Sequence, residues 1–312
     1  MAIKTMEGLT FKKTLTALIY GEKGVGKTTL ALSGDANSLV IDTDNGVDRV
    51  NAEHLLTSSY IQVTSFDEIL NDLRSPEAQQ FSTIIVDTLG KLVEFMIEYT
   101  RKNTTKNPIT GGLSLHNYGV LNQTFKSFCR EIRNMNKNLI FVAHTKSEKR
   151  GDDLRLVPDV RDGNYSVLAT ELDLIGFVEC IGTQRTISFS PTDKHDGKNT
   201  GGFADIIHIP ALQAGMPNDF LEKNIIKKHF ENIANKEKMQ IEIVKKFKEI
   251  DDALAMVDGA NSANIFCEII GQMQHLGTSL HYAKTKFRDK IKPFNLVYNS
   301  ETKLYSEESN GN

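Results

Sequence analysis

The 312-residue sequence has no tryptophan, only three cysteines and seven prolines, and no run of 18 uncharged apolar residues. The missing run excludes a membrane-spanning helix. The opening Met1-Ala2-Ile3-Lys4-Thr5-Met6-Glu7 has no apolar core for a secretory signal, so a cytoplasmic protein without membrane association is expected. Cys129, Cys180 and Cys267 are odd in number, far apart and free of C-x-x-C pairing. That argues against a disulfide framework or a zinc site and suits a reducing compartment. The eight histidines show no H-E-x-x-H or H-x-x-x-H spacing, so no helix face supplies a metal site. Excess charge is also lacking, 37 basic against 40 acidic side chains, so any nucleic-acid binding would rest on local basic patches.

The remaining composition, 39% apolar and 25% charged, is that of an ordinary globular chain with room for one large domain and an appendage. Short β-rich runs alternate with helical patterns through the first two thirds, as in βα units around a mostly parallel sheet. Strands are expected at 15–20, 38–42, 83–87 and 138–143, and helices from the capping box Ser65-Phe66-Asp67-Glu68, over 89–100 and over 118–134. Segments 174–181 and 184–190, joined at Gly182-Thr183, read as an antiparallel hairpin closing the sheet. This predicts an α/β core over 1–212. After it come a helical extension over 213–305, with helices at 219–256 and 263–291, and a disordered tail over 306–312.

One segment is chemically specific. Gly21-Glu22-Lys23-Gly24-Val25-Gly26-Lys27-Thr28 matches G-x-x-x-x-G-K-[ST] directly after an apolar strand and before the helix-compatible Thr29-Leu30-Ala31-Leu32. Its glycines let the backbone curl so that N–H groups point at a phosphate. Lys27 would then reach the β- and γ-phosphates and the Thr28 hydroxyl would ligate Mg²⁺, with ATP as the nucleotide. A second strand must bring a carboxylate towards that metal, and Thr83-Ile84-Ile85-Val86-Asp87 ends in one at the carboxyl edge of the sheet. Thr88 follows, not Glu, so a base for hydrolysis must come from elsewhere. Leu39-Val40-Ile41-Asp42-Thr43-Asp44 offers two acids at its end.

These residues resemble a family. Ile41-Asp42-Thr43-Asp44 is similar to the I-D-A-E strand end of RecA-type recombinases, whose Glu activates the attacking water. Asn138-Leu139-Ile140-Phe141-Val142-Ala143-His144 is similar to the strand ending in their γ-phosphate-sensing Gln. The order of Walker loop, acid-ended strand and strand ending in Ala-His also resembles phage-encoded RecA-like nucleotide-binding proteins, some of them ATP-dependent single-strand annealing proteins. The resemblance spans about residues 12–210. It implies a RecA-like P-loop NTPase core, with Asp44 as the general base and His144 as the phosphate sensor. Two departures stand out: Asp44 is one methylene shorter than Glu, and His144 replaces an amide by a group titrating near neutrality. Gly197-Lys198-Asn199-Thr200 resembles the K-N-K segment through which one recombinase subunit reaches its neighbour's ATP, which implies a trans-acting Lys198 in a homo-oligomer or filament.

In recombinases DNA lies along two loops. The corresponding stretches here are 101–118, with Arg101, Lys102 and Lys106 and no acid through Asn107, and 145–165, where five basic residues meet five acidic ones. The resulting expectation is a Mg-ATP-dependent ATPase, slow and DNA-stimulated, acting on single-stranded DNA in phage-type recombination or annealing, with a single-strand-binding protein as a further candidate partner. The alternatives are a nucleotide-gated assembly module with negligible turnover and a small-molecule phosphotransferase. A regulatory GTPase would need N-K-x-D, and Asn136-Lys137-Asn138-Leu139 lacks the Asp.

Overall fold

In the computed structural model, residues 13–50, 59–105, 113–150, 153–160, 165–213 and 215–307 are described. They fall into two compact units, one within Lys12–Asn232 and the other within Ile233–Asn312.

The first unit is built on strands β1 (Thr16–Gly21), β2 (Ser38–Asp42), β3 (Ser59–Gln62), β4 (Thr83–Asp87), β5 (Asn138–Arg150), β6 (Asp153–Pro158), β7 (Leu174–Ile181), β8 (Gln184–Ser188), β9 (Lys198–Asn199) and β10 (Ile207–Ile209). The main sheet runs β10-β8-β7-β1-β5-β4-β2-β3. From β7 to β3 all neighbours are parallel, while β8 and β10 add an antiparallel edge. The core strands are apolar at successive positions because both faces are covered, the usual condition of a parallel sheet. In β1, Leu18 and Tyr20 enter one buried cluster while Ala17 and Ile19 enter another. Helices α2 (Phe66–Leu73), α3 (Leu89–Asn103) and α4 (Leu115–Asn134) supply residues to the first cluster, and α1 (Lys27–Leu32) to the second. Helix α2 starts at the N-cap Ser65, whose side chain accepts from the Glu68 amide, while the Glu68 carboxylate reaches back one residue past the cap to accept from the Thr64 amide at 2.7 Å. Such a cap stabilises a helix by about 1 kcal/mol. The architecture is the expected α/β arrangement, a mostly parallel sheet with an edge hairpin and a helical C-terminal region.

Several expectations need correction. The stretch 145–165, read as a polar loop, is in its described part a β-ribbon in which β5 extends to Arg150 and pairs with β6 from Thr145↔Pro158 to Arg150↔Asp153, followed by helix α5 (Tyr165–Glu171). Its ladder is held by backbone pairing, and on the β5 side Thr145-Lys146-Ser147-Glu148-Lys149-Arg150 has no apolar residue, so no alternation marks that strand. The core does not end at 212: Leu221, Ile225 and Ile226 complete the cluster around α1, and the unit runs to Asn232.

Helix α6 (Lys227–Ala255) starts within the first unit's residues and continues into the second, where α7 (Ala260–Gln272) and α8 (Ser279–Ile291) follow. The single helix read over 263–291 is broken at 273–278, where Gly277 adopts φ +54°. Strands β11 (Leu296–Asn299) and β12 (Leu304–Glu307) form a hairpin, so Ser306 and Glu307 belong to a strand and not to a tail; residues 308–312 lie outside the described residues. No helix among the described residues is long and apolar enough to cross a membrane.

Candidate nucleotide site

Registry places the functional side chains together. Gly21 at the end of β1 is level with His144 in β5, and Asp87 at the end of β4 is level with Val142 of β5 and with Asp42 of β2. Gly21, His144, Asp87, Asp42 and Asp44 therefore emerge at one carboxyl edge, where open α/β sheets bind ligands. The phosphate loop needs its glycines for separate reasons. A Cβ on Gly21 would stand 2.3 Å from the Val178 carbonyl oxygen of β7, so no larger residue fits. Gly26, at φ +87°, turns the chain into α1 in a left-handed conformation that side chains disfavour. Glu22, Lys23 and Gly24 are exposed on the loop, Val25 and Thr29 are half-buried, and the Thr29 carbonyl accepts from Asn218 Nδ2 at 2.8 Å.

Lys27 is only 6% exposed, and its Nζ donates to the Glu22 carbonyl at 2.8 Å, spanning the loop. Burial lowers its pKa, against the opposing pull of Asp87 and Glu22. The Thr28 hydroxyl donates to Asp87 Oδ2 at 2.6 Å. Burial raises the Asp87 pKa from 3.8 to about 6, the Thr28 hydrogen bond opposing and Asp44 and Asp42 adding to it. This hydroxyl and carboxylate are hard oxygen donors of the kind Mg²⁺ takes, so the residues fit the metal. Among the described residues no group of three His, Cys, Asp or Glu could hold an ion, so a cation here would draw most of its ligands from the nucleotide and water. The Asp87–Thr88 peptide is cis, and Thr43 Oγ1 accepts from the Thr88 amide at 2.8 Å, joining the ends of β2 and β4.

The structure distinguishes Asp42, the last residue of β2, from Asp44 just beyond it. The Asp42 carboxylate accepts from the Gly46 and Val47 amides at 2.9 and 3.2 Å, capping the turn beyond the strand. Asp44 is half-buried, has no hydrogen-bond partner among the described residues, and acts electrostatically on both Asp87 and His144. The His144 pKa is lowered, by burial first and then by the Lys27 charge, and its buried Nδ1 has no partner. His144, with its buried Nδ1 unpartnered, thus stands level with Gly21 at the start of the phosphate loop and within electrostatic reach of both Lys27 and Asp44.

Other sequence candidates lie elsewhere. Lys198 Nζ donates to the Ala169 carbonyl at 2.9 Å, and its strand pairs with the start of β7, level with Leu18 of β1 and remote from its own phosphate loop. Arg101 and Lys102 are exposed on the last turn of α3, and Lys106 lies outside the described residues. A residue missed in the sequence does reach the loop: Arg185 of β8 donates through Nε to the Val25 carbonyl at 3.1 Å. Its only available signal was placement on the hairpin beside the phosphate-loop strand.

A family model described as AAA domain matches residues 13–200. No curated protein matches the sequence. The solved structure of the RadB recombinase aligns at 14% identity and a TM-score of 0.36, covering 59% of this chain and 91% of its own.

Proposed function

This chain belongs to the AAA domain family, and from that premise we propose that it is a Mg-ATP-dependent, RecA-like ATPase that acts on single-stranded DNA in phage-type recombination or strand annealing. The observation that carries the nucleotide part is the 2.6 Å contact between Thr28 and Asp87 beneath a loop of phosphate-binding sequence, with Lys27 buried beside it. In this reading Lys27 and the loop amides hold the β- and γ-phosphates, while Thr28 and Asp87 hold the metal. The bound ion supplies charge neutralisation on the phosphates. Asp44 takes the proton of the attacking water, and neutral His144 senses the γ-phosphate through its unoccupied ring nitrogen. DNA is assigned by the sequence resemblance to Arg101, Lys102 and Lys106, with neighbouring subunits stacked so that Lys198 faces the next nucleotide.

A second reading, a nucleotide-gated assembly module with negligible turnover, is favoured by the shorter reach of Asp44, whose Oδ1 folds back to 2.9 Å from where a Cβ on Gly46 would stand. Steady-state ATP hydrolysis with and without single-stranded DNA separates the two. DNA-stimulated turnover supports the ATPase; tight ATP binding with no turnover in either condition supports the module.

A further inference from the structure

Strand β8 reads Gln184-Arg185-Thr186-Ile187-Ser188, and alternation puts Arg185 on the same face as Ile187, which is buried with Leu30 and against Val25 in the cluster around α1. Register then sets its height. Gly21 pairs with Val178 and Val178 with Ile187, so Arg185, opposite Cys180, stands one pleat beyond the last residue of β1, at the level of the phosphate loop. There its Nε donates to the Val25 carbonyl at 3.1 Å, and a Cβ on Gly26 would lie 3.5 Å from the same nitrogen. A guanidinium carries five N–H donors, so four remain. Among the described residues Arg185 makes no ion pair with a carboxylate and no other hydrogen bond, although it is half-buried. A partly desolvated cation with no acid partner is stabilised by an incoming anion. The planar fork of Arg suits this place better than Lys, because Nε can hold the loop while the Nη pair addresses phosphate oxygens.

We propose that Arg185 is a second cation of the nucleotide site, supplied by the same subunit, which braces the phosphate loop through Val25 and binds the nucleotide's phosphate chain through its Nη groups. The proposal rests on the nucleotide-binding reading above. It is tested in the full-length protein by calorimetric titration with Mg-ATP, ADP and adenosine at several KCl concentrations, on wild type, Arg185→Gln, Arg185→Lys and, as a control, Lys27→Ala. Arg185→Gln should lose roughly 10- to 100-fold in ATP affinity, the effect of removing a charge-assisted hydrogen bond. Its affinity should also depend less steeply on salt, with adenosine binding unchanged and part of the loss recovered in Arg185→Lys. A folded Arg185→Gln protein, judged by an unaltered circular-dichroism melt, with wild-type ATP affinity overturns the proposal. Equal losses for ATP and adenosine at an unchanged salt slope overturn it too, since they leave Arg185 a prop for the loop. If wild type does not bind ATP, or Lys27→Ala binds it equally well, the nucleotide reading itself falls and takes the proposal with it. If Lys27→Ala alone is defective, only the role of Arg185 fails.

Discussion

Replacing Asp87 by Asn should make the nucleotide-free protein more stable at neutral pH while impairing its use of Mg-ATP. The reason is the cost of keeping a carboxylate at the buried end of β4, 4% exposed, where its pKa is raised from 3.8 to about 6, chiefly by burial. The folded state therefore holds a proton that the unfolded chain has already released over that interval. Stability attributable to this group is present below the unfolded pKa and is lost as pH rises from about 4 through about 6. A displacement from 3.8 to about 6, at about 1.36 kcal/mol per pH unit, corresponds to a loss of about 3 kcal/mol above pH 7. Asn is nearly isosteric, accepts the Thr28 hydroxyl through its amide oxygen, and never ionises. At roughly 2 to 4 °C per kcal/mol for a unit of this size, the variant should melt about 6 to 12 °C higher at pH 8 and about equally at pH 4. Differential scanning calorimetry across pH 4 to 8, without nucleotide or metal, measures this, and the wild-type-minus-variant difference cancels the other titrating groups, His144 included. Mg-ATP should then raise the wild-type melting temperature more than that of Asp87→Asn. An Asn variant less stable than wild type at pH 8, with the same pH slope, would refute the reasoning.

Lys27→Ala should abolish tight ATP binding, read by calorimetry, with the fold intact at pH 7, because the loop carries the side chain and the apolar clusters do not. Asp44→Asn should slow hydrolysis by roughly 10² to 10⁴ with nucleotide affinity nearly kept, the range for a positioned general base; unchanged turnover in a steady-state assay would remove that role. His144→Gln should flatten the loss of stability below about pH 6.5, because a histidine with a lowered folded pKa destabilises the fold as pH falls through its unfolded value; thermal melts between pH 5 and 7.5 check it. Replacing Arg101, Lys102 and Lys106 together by Ala should weaken single-strand binding regardless of sequence and reduce the log–log salt slope by roughly 0.7 for each lost phosphate contact, read from titrations at several salt concentrations.

Much of this site is legible in the sequence because its strands announce themselves. Ile41, Ile84, Val86, Phe141 and their neighbours form short continuous apolar runs that end at or near the candidate site residues, the pattern of a sheet covered on both faces. Elements with weak or polar patterns were not legible. Strand β3 (Ser59–Gln62) is largely exposed at the sheet edge, and β9 and β10 are two and three residues long. The hairpin of β11 and β12 carries only Asn299-Ser300 as its turn signal, where Asn299 Oδ1 accepts from the Glu301 and Thr302 amides at 2.8 and 3.1 Å. Arg185 escaped because its role depends on register across two strands: the turn at Gly182-Thr183 sets β8 against β7, but no local pattern sets β7 against β1, which gives Arg185 its height beside the phosphate loop.

The same dependence on register explains how the nucleotide edge joins the ribbon. Strand β5 lies between β1 and β4, so His144 stands beside Gly21, and the strand continues without a break into the ribbon at Thr145. Its partner β6 is tied back to β1: the Tyr20 hydroxyl donates to the Asp196 carbonyl at 2.6 Å and to that of Leu156 at 3.3 Å, and Arg155 Nη2 meets Asp196 Oδ1 at 2.7 Å. Tyr20 immediately precedes Gly21, and the His195 ring stacks on Phe177 of β7 at 4.7 Å between centroids. The base of the ribbon is thus fastened to the two strands that flank and carry the phosphate loop. No irregular segment separates His144 from the ribbon, so a shift of the β5 backbone at His144 passes directly into the β5–β6 ladder and the Tyr20 contacts. A soft linker would have absorbed it.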